Sequence, residues 1–140
     1  MRFMVLVKGS AEAERGELPS AAELAEMGRF NEELTAAGVL LAADGLQSSA
    51  KGARVRFGSD GASTVVDGPF AETKELVAGY WVWEVSSREE AVRWLQRAPF
   101  RDTEVEVRQV LEAADFADVM PPGAVAREQE LRAGLEGSDG

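Results

Sequence analysis

The chain has 140 residues, 45% of them apolar, and a formal net charge of −10. That is one domain's length with enough apolar material for a core, and its acidity opposes phosphate-backbone binding, which excludes nucleic acid as a partner and favours a basic partner or a small ligand. Histidine and cysteine are both missing, which removes the side chain best suited to proton transfer near neutral pH, the commonest metal ligand, disulfides and thiolate chemistry.

The first element, Arg2 to Lys8, is a strand: Phe3, Val5 and Val7 point one way and Met4 and Leu6 the other. With both faces apolar it is expected to be a central, covered strand. It is too short for a signal peptide, and no apolar run approaches membrane-spanning length, so a cytoplasmic protein with no membrane partner is expected. A loop follows to Pro19. Ser20-Ala21-Ala22-Glu23 is a capping box, with Leu24 placed for a staple contact. The helix it opens carries Leu24, Met27, Phe30 or Asn31, and Leu34 along one stripe, and Gly38 ends it at C′. Val39 to Ala43 is a short strand closed by Asp44-Gly45, and Leu46 to Gly52 is a loop.

Ala53 to Phe57 and Ser63 to Asp67 alternate on either side of Gly58-Ser59-Asp60-Gly61, the pattern of a β-hairpin. The stretch from Asp67 to Trp83 is the one around which the chain is organised. Asp67-Gly68-Pro69 must turn, Glu72-Thr73-Lys74-Glu75 is polar, and Tyr80-Trp81-Val82-Trp83 is the heaviest strand in the protein. Ser87-Arg88-Glu89-Glu90 is a second capping box, opening a helix with Ala91, Trp94 or Leu95, and Ala98 on one side and Pro99 at its end. Glu104 to Val110 alternates as a strand with one apolar and one charged face. Residues 1–120 are expected to form the domain. Beyond it, 121–140 form an acidic tail, broken by Pro121-Pro122-Gly123 and helical from Ala124 to Leu135.

With the hairpin set aside, the order is βαββαβ, the ferredoxin-like split arrangement with both helices on one face of an antiparallel sheet. The other face would then be bare, yet the first strand and the Tyr80–Trp83 strand are apolar on both sides. Such a face invites a second copy of the chain, and two sheets face to face make a dimeric α+β barrel with the hairpin at its rim.

The run Asp67-Gly68-Pro69-Phe70-Ala71-Glu72-Thr73-Lys74-Glu75, then Gly79-Tyr80, then Val105-Glu106-Val107-Arg108, resembles the DGPF family of YCII-related proteins. The Arg2-Phe3-Met4 strand and the Glu112 to Phe116 segment also fit, so the resemblance spans about residues 1 to 118. It implies a dimeric ferredoxin-like barrel in a family whose members are often encoded beside extracytoplasmic-function sigma factors, which makes a sigma factor a candidate partner. Related YCII proteins carry a His–Asp pair that implies enzymatic chemistry. A chain without histidine cannot complete that pair.

The candidate site residues are Asp67 as an acid or base, with Phe70, Lys74, Tyr80 and Arg108 as ligand contacts. Each also has a plainer structural reading. Asp67 before Gly-Pro caps a turn with its carboxylate. Lys74 between Glu72 and Glu75 makes local ion pairs on a solvated surface. Arg108, two residues from Glu106 on one strand face, is exterior alternation unless that face lines a barrel, where charges must pair and could bind an anion. Tyr80, Trp81 and Trp83 are core, or one of them floors a pocket. No serine or threonine has a histidine to activate it, there is no phosphate-binding glycine loop, and the carboxylates lack metal-site spacing, so neither cofactor nor metal is expected. Two functions follow. One is a non-catalytic dimeric module that binds a small molecule or a protein. The other is a cofactor-free lyase- or isomerase-like enzyme with Asp67 as its base.

Overall fold

The computed structural model describes residues 1–137, the Lys74 side chain apart. Arg2–Lys8 (β1), Leu40–Gly45 (β2), Val77–Glu84 (β5) and Val105–Gln109 (β6) form a four-stranded sheet in the order β2-β5-β1-β6. Every pairing in it is antiparallel. Ala53–Phe57 (β3) and Ser63–Asp67 (β4) form a separate antiparallel pair, the hairpin inserted between the second and third strands of the main sheet. The helices are Ala11–Glu14 (α1), Ala21–Ala36 (α2), Arg88–Gln96 (α3) and Ala124–Gly137 (α4). Leaving out α1, the hairpin and α4, the order is βαββαβ with the first strand in the sheet interior, a ferredoxin-like α+β fold.

The register explains the core. Phe3 lies opposite Trp83, and Val5 lies between Trp81 and Val107, so these five side chains share one face of the sheet. α2 and α3 cover that face: Phe30, Leu34 and Ala91 are buried with Phe3, Val5, Trp81 and Trp83 in one cluster. The aromatic rings meet mostly edge to face, Phe30 with Trp81 at 5.8 Å and Trp81 with Phe100 at 5.8 Å between centroids, the geometry their quadrupoles favour. Met4, Leu6, Tyr80 and Val82 point from the opposite face and are half-buried.

The helix ends follow local chemistry. Ser20 Oγ accepts from the Glu23 N–H at 3.2 Å. At the other end Gly38 adopts φ 72°, the Gly38 N–H donates to Thr35 O and the Val39 N–H to Leu34 O. This is a Schellman stop, and it turns the chain directly into β2. Ser87 caps α3 through the Glu90 N–H at 3.1 Å, but the Glu90 carboxylate reaches one residue further back than a capping box would. It accepts from both the backbone and the hydroxyl of Ser86, each at 2.6 Å. Leu24 does not staple the start of α2. It is 57% exposed, and along the apolar stripe of α2 burial begins only at Met27.

The chain divides into two compact units, Met1–Gln109 and a second starting at Val110. In the second, Ala113–Phe116 forms a 3-10 turn capped reciprocally by Glu112 and Asp115. Arg132 of α4 pairs with Glu128 at 3.4 Å and with Glu112 at 3.9 Å.

Candidate functional site

Between β1 and α2 the sequence read as loop contains a helical turn, because Ser10 caps it: its hydroxyl accepts from the Ala13 N–H at 3.1 Å. This turn places Glu14 against the segment that leaves β2. The Ser48 hydroxyl donates to Glu14 O at 2.6 Å, and the Ser49 N–H donates to the Glu14 carboxylate at 3.1 Å. The Ser49 hydroxyl also donates to that carboxylate and accepts from the Phe70 N–H at 3.0 Å. Glu14 and Ser49 thus join α1, the Ser49–Lys51 turn and the segment after the hairpin into one brace. Gly68 fits it only because it has no side chain: a Cβ there would stand 1.7 Å from Ser49 O. Its peptide to Pro69 is cis, its N–H donates to Gly52 O at 3.0 Å, and the Arg54 guanidinium lies 3.9 Å from the centre of the Phe70 ring. The Asp67-to-Phe70 motif therefore serves as a joint between hairpin and body.

The braced wall borders a cavity of about 810 Å³. Its apolar surface comes from Val7, Met27, Ala78, Trp81 and Phe100, and its polar groups from α1, the start of α2 and the end of β2. Trp81 Nε1 donates to Asn31 Oδ1 at 2.9 Å, which fixes the indole at the cavity wall. Tyr80 donates its hydroxyl to Asp44 Oδ2 at 2.8 Å. That bond, with the charge of Asp44 behind it, pushes the phenol above its ordinary value of 10.0, so at neutral pH Tyr80 is a fixed donor and not a base.

Among the described residues predicted for a site, Tyr80 alone lines this cavity. Asp67 is exposed at the last position of β4, opposite Ala53. Phe70 is half-buried under Arg54. Arg108 is exposed on β6 opposite Met4, on the sheet face away from the helices, and its neighbour Glu106 pairs with Lys8 at 3.9 Å. Tyr80 shares that face, but β1 separates the two, a gap of two strand spacings or roughly 10 Å. The predicted contact Lys74 lies outside the described side chains; beside it, a hydrogen bond to Glu72 and that residue's charge raise the Glu75 carboxyl above its ordinary value. Asn31, Asp44, Ser48 and the α1 turn escaped the sequence reading. Ser10 ahead of Ala-Glu-Ala-Glu was a legible helix start. Nothing local marks Asp44, which reads as the end of a strand.

A ferredoxin-like α+β domain with a cavity beside the edge strand of its sheet is the class these observations define. A model of the YCII-related domain matches residues 1–114, and the chain belongs to that family. No curated protein matches it at a significant level. Among solved structures it is similar to the 5-chloro-2-hydroxyhydroquinone dehydrochlorinase of Burkholderia phenoliruptrix, determined in complex with 2,5-dihydroxybenzoquinone. The identity is 14%, the TM-score 0.46, and the match covers 80% of this chain and 95% of the other.

Proposed function

We propose that the protein is a non-catalytic YCII-type module that binds a small organic molecule in the cavity between α1, α2 and the end of β2. The observation that supports this most is the cavity itself. Its volume of about 810 Å³ falls in the range of small-molecule sites, and it joins an apolar surface to a few fixed polar groups, the balance such sites need. Asp67, the base of the competing enzymatic reading, is absent from its lining, and the one phenol in it is held protonated by Asp44. The working form is a homodimer joined through the half-buried sheet face of Met4, Leu6 and Val82, opposite the face that α2 and α3 cover. A place in sigma-factor-linked regulation rests on the DGPF resemblance and predicts such a factor encoded next to this gene.

Ligand-observed NMR with a fragment library tests the reading. Binders should be recovered chemically unchanged, should be retained by Asp67→Asn, and should be lost in Ala43→Trp, which fills the cavity from an exposed position on β2. Conversion of a bound compound that stops with Asp67→Asn would establish the enzymatic alternative instead.

A further inference from the structure

The stretch from Ser10 to Pro19 joins β1 to α2 and supplies Ser10, Glu12, Ala13, Glu17, Leu18 and Pro19 to the cavity lining. None of its residues is buried, and only Ala13 and Glu14 are half-buried. Its own bonds close within it: the Glu14 N–H donates to Ser10 O, the Arg15 N–H to Ala11 O, and Arg15 pairs with Glu17 at 3.3 Å. Among the described residues, its hydrogen bonds to the rest of the chain all run through Glu14. The carbonyl of Glu14 takes the Ser48 hydroxyl, and its carboxylate takes the N–H and the hydroxyl of Ser49. Both ends are fixed. The Gly9 N–H donates to Leu76 O at 2.7 Å, and Ser20 caps α2. A segment pinned at its ends, unburied between them and fastened by one residue has the low local stability from which lids are drawn. Leu18 is 89% exposed although it shares the cavity lining with Met27, Trp81 and Phe100. A large apolar side chain standing in water at the rim of such a pocket gains cover when the stretch moves inward.

We propose that Ser10 to Pro19 is a strap that opens and closes the cavity, with Glu14 as its latch and Leu18 as the side chain it lowers onto an occupant. The latch is shared with the hairpin joint, because the Ser49 hydroxyl that donates to Glu14 also accepts from the Phe70 N–H. The inference adds a gate to the binding reading above and rests on the cavity of that reading, not on any one ligand.

Glu14→Ala removes the latch and leaves the Ser49 hydroxyl with Phe70, so it separates the strap from the joint. Two NMR measurements on the full chain read the result. One is amide exchange at Glu14, Arg15 and Gly16, whose N–H groups are bonded within the strap. The other is broadening of the Trp81 and Trp83 indole signals by the neutral nitroxide 4-hydroxy-TEMPO. In the variant the strap amides should exchange about tenfold faster, as when a local closing contact is lost, while amides of α2 and β5 keep their rates. Trp81 should broaden more than in wild type, and Trp83, buried outside the lining, should not change. Ser48→Ala, which removes the bond to Glu14 O, should move both readouts the same way by less, and it carries the test if Glu14→Ala does not fold. Equal exchange and equal Trp81 broadening in wild type and variants would overturn the strap and leave the cavity standing. Trp81 broadening that rises while the strap amides keep their rates would overturn it too, because access would then run elsewhere. Strap amides that quicken while Trp81 stays shielded in both proteins would overturn the strap and the cavity reading together, since the strap would open onto nothing.

Discussion

At the scale of single residues, Gly68 and Ser49 carry the joint that shapes the cavity wall. A methyl group at Gly68 has to displace backbone 1.7 Å away, and backbone cannot swing aside as a flexible side chain can. Gly68→Ala should therefore lose about 3 kcal/mol or more in urea unfolding, the level reached when a close backbone approach is blocked. Ser49→Ala should lose about 1–3 kcal/mol, because it leaves the Phe70 N–H and the Glu14 carboxylate without their shared partner. A Gly68→Ala protein with the wild-type midpoint would show that the motif does not seat on Ser49. The sequence made Gly68 and Pro69 legible as a turn, since both residues speak through their own backbone limits. It could not show that the turn seats on Ser49, because that need comes from a distant segment and leaves no local trace. Asp67 drew the functional reading for its residue type, whereas its exposure depends on where the hairpin lands.

Among the elements, α3 shows a cap with a pH signature. The Ser86 hydroxyl and N–H, both donating to Glu90, hold that carboxyl below its ordinary value of 4.5. A carboxyl with a depressed folded pKa stabilises the fold above the unfolded value, and that contribution fades as pH falls through the folded one. Wild type should thus be more stable than Glu90→Gln near neutrality, with the two denaturation midpoints converging in acid. A gap that stays constant down the acid range would remove the charged cap from the account. The helices, the strands and the hairpin were largely legible, because capping serines, Gly38 and period-two alternation act within a few residues. The α1 turn was passed over although Ser10 announces it, and the Leu24 staple was expected where Leu24 in fact faces solvent. The first miss overlooked a cap. The second is a tertiary effect, since local spacing cannot say where a helix begins to touch the sheet.

For the whole molecule, the strand order could be inferred because β1 is apolar on both faces and the helices alternate with strand pairs. The cavity could not, because its wall is assembled from α1, α2 and the end of β2, which meet only once the chain has folded. The apolar sheet face of Met4, Leu6 and Val82 leads to a prediction of its own: light scattering at micromolar concentration should give about twice the chain mass of 15.0 kDa, with unfolding dependent on protein concentration. A monomer there would sink the barrel while leaving the cavity, which lies within one chain, unaffected. The central claim is that small molecules enter the cavity beside Trp81, and the tryptophan indole resonances in a proton–nitrogen correlation spectrum test it most directly. Trp81 lines the cavity and is bonded to Asn31, whereas Trp83 is fully buried outside the lining, so one serves as reporter and the other as internal control. With a binding fragment added, the Trp81 indole signal should move along a saturating curve while that of Trp83 stays in place, and Ala43→Trp should abolish the movement. A ligand that binds without shifting Trp81, or that shifts it equally in Ala43→Trp, would contradict the account.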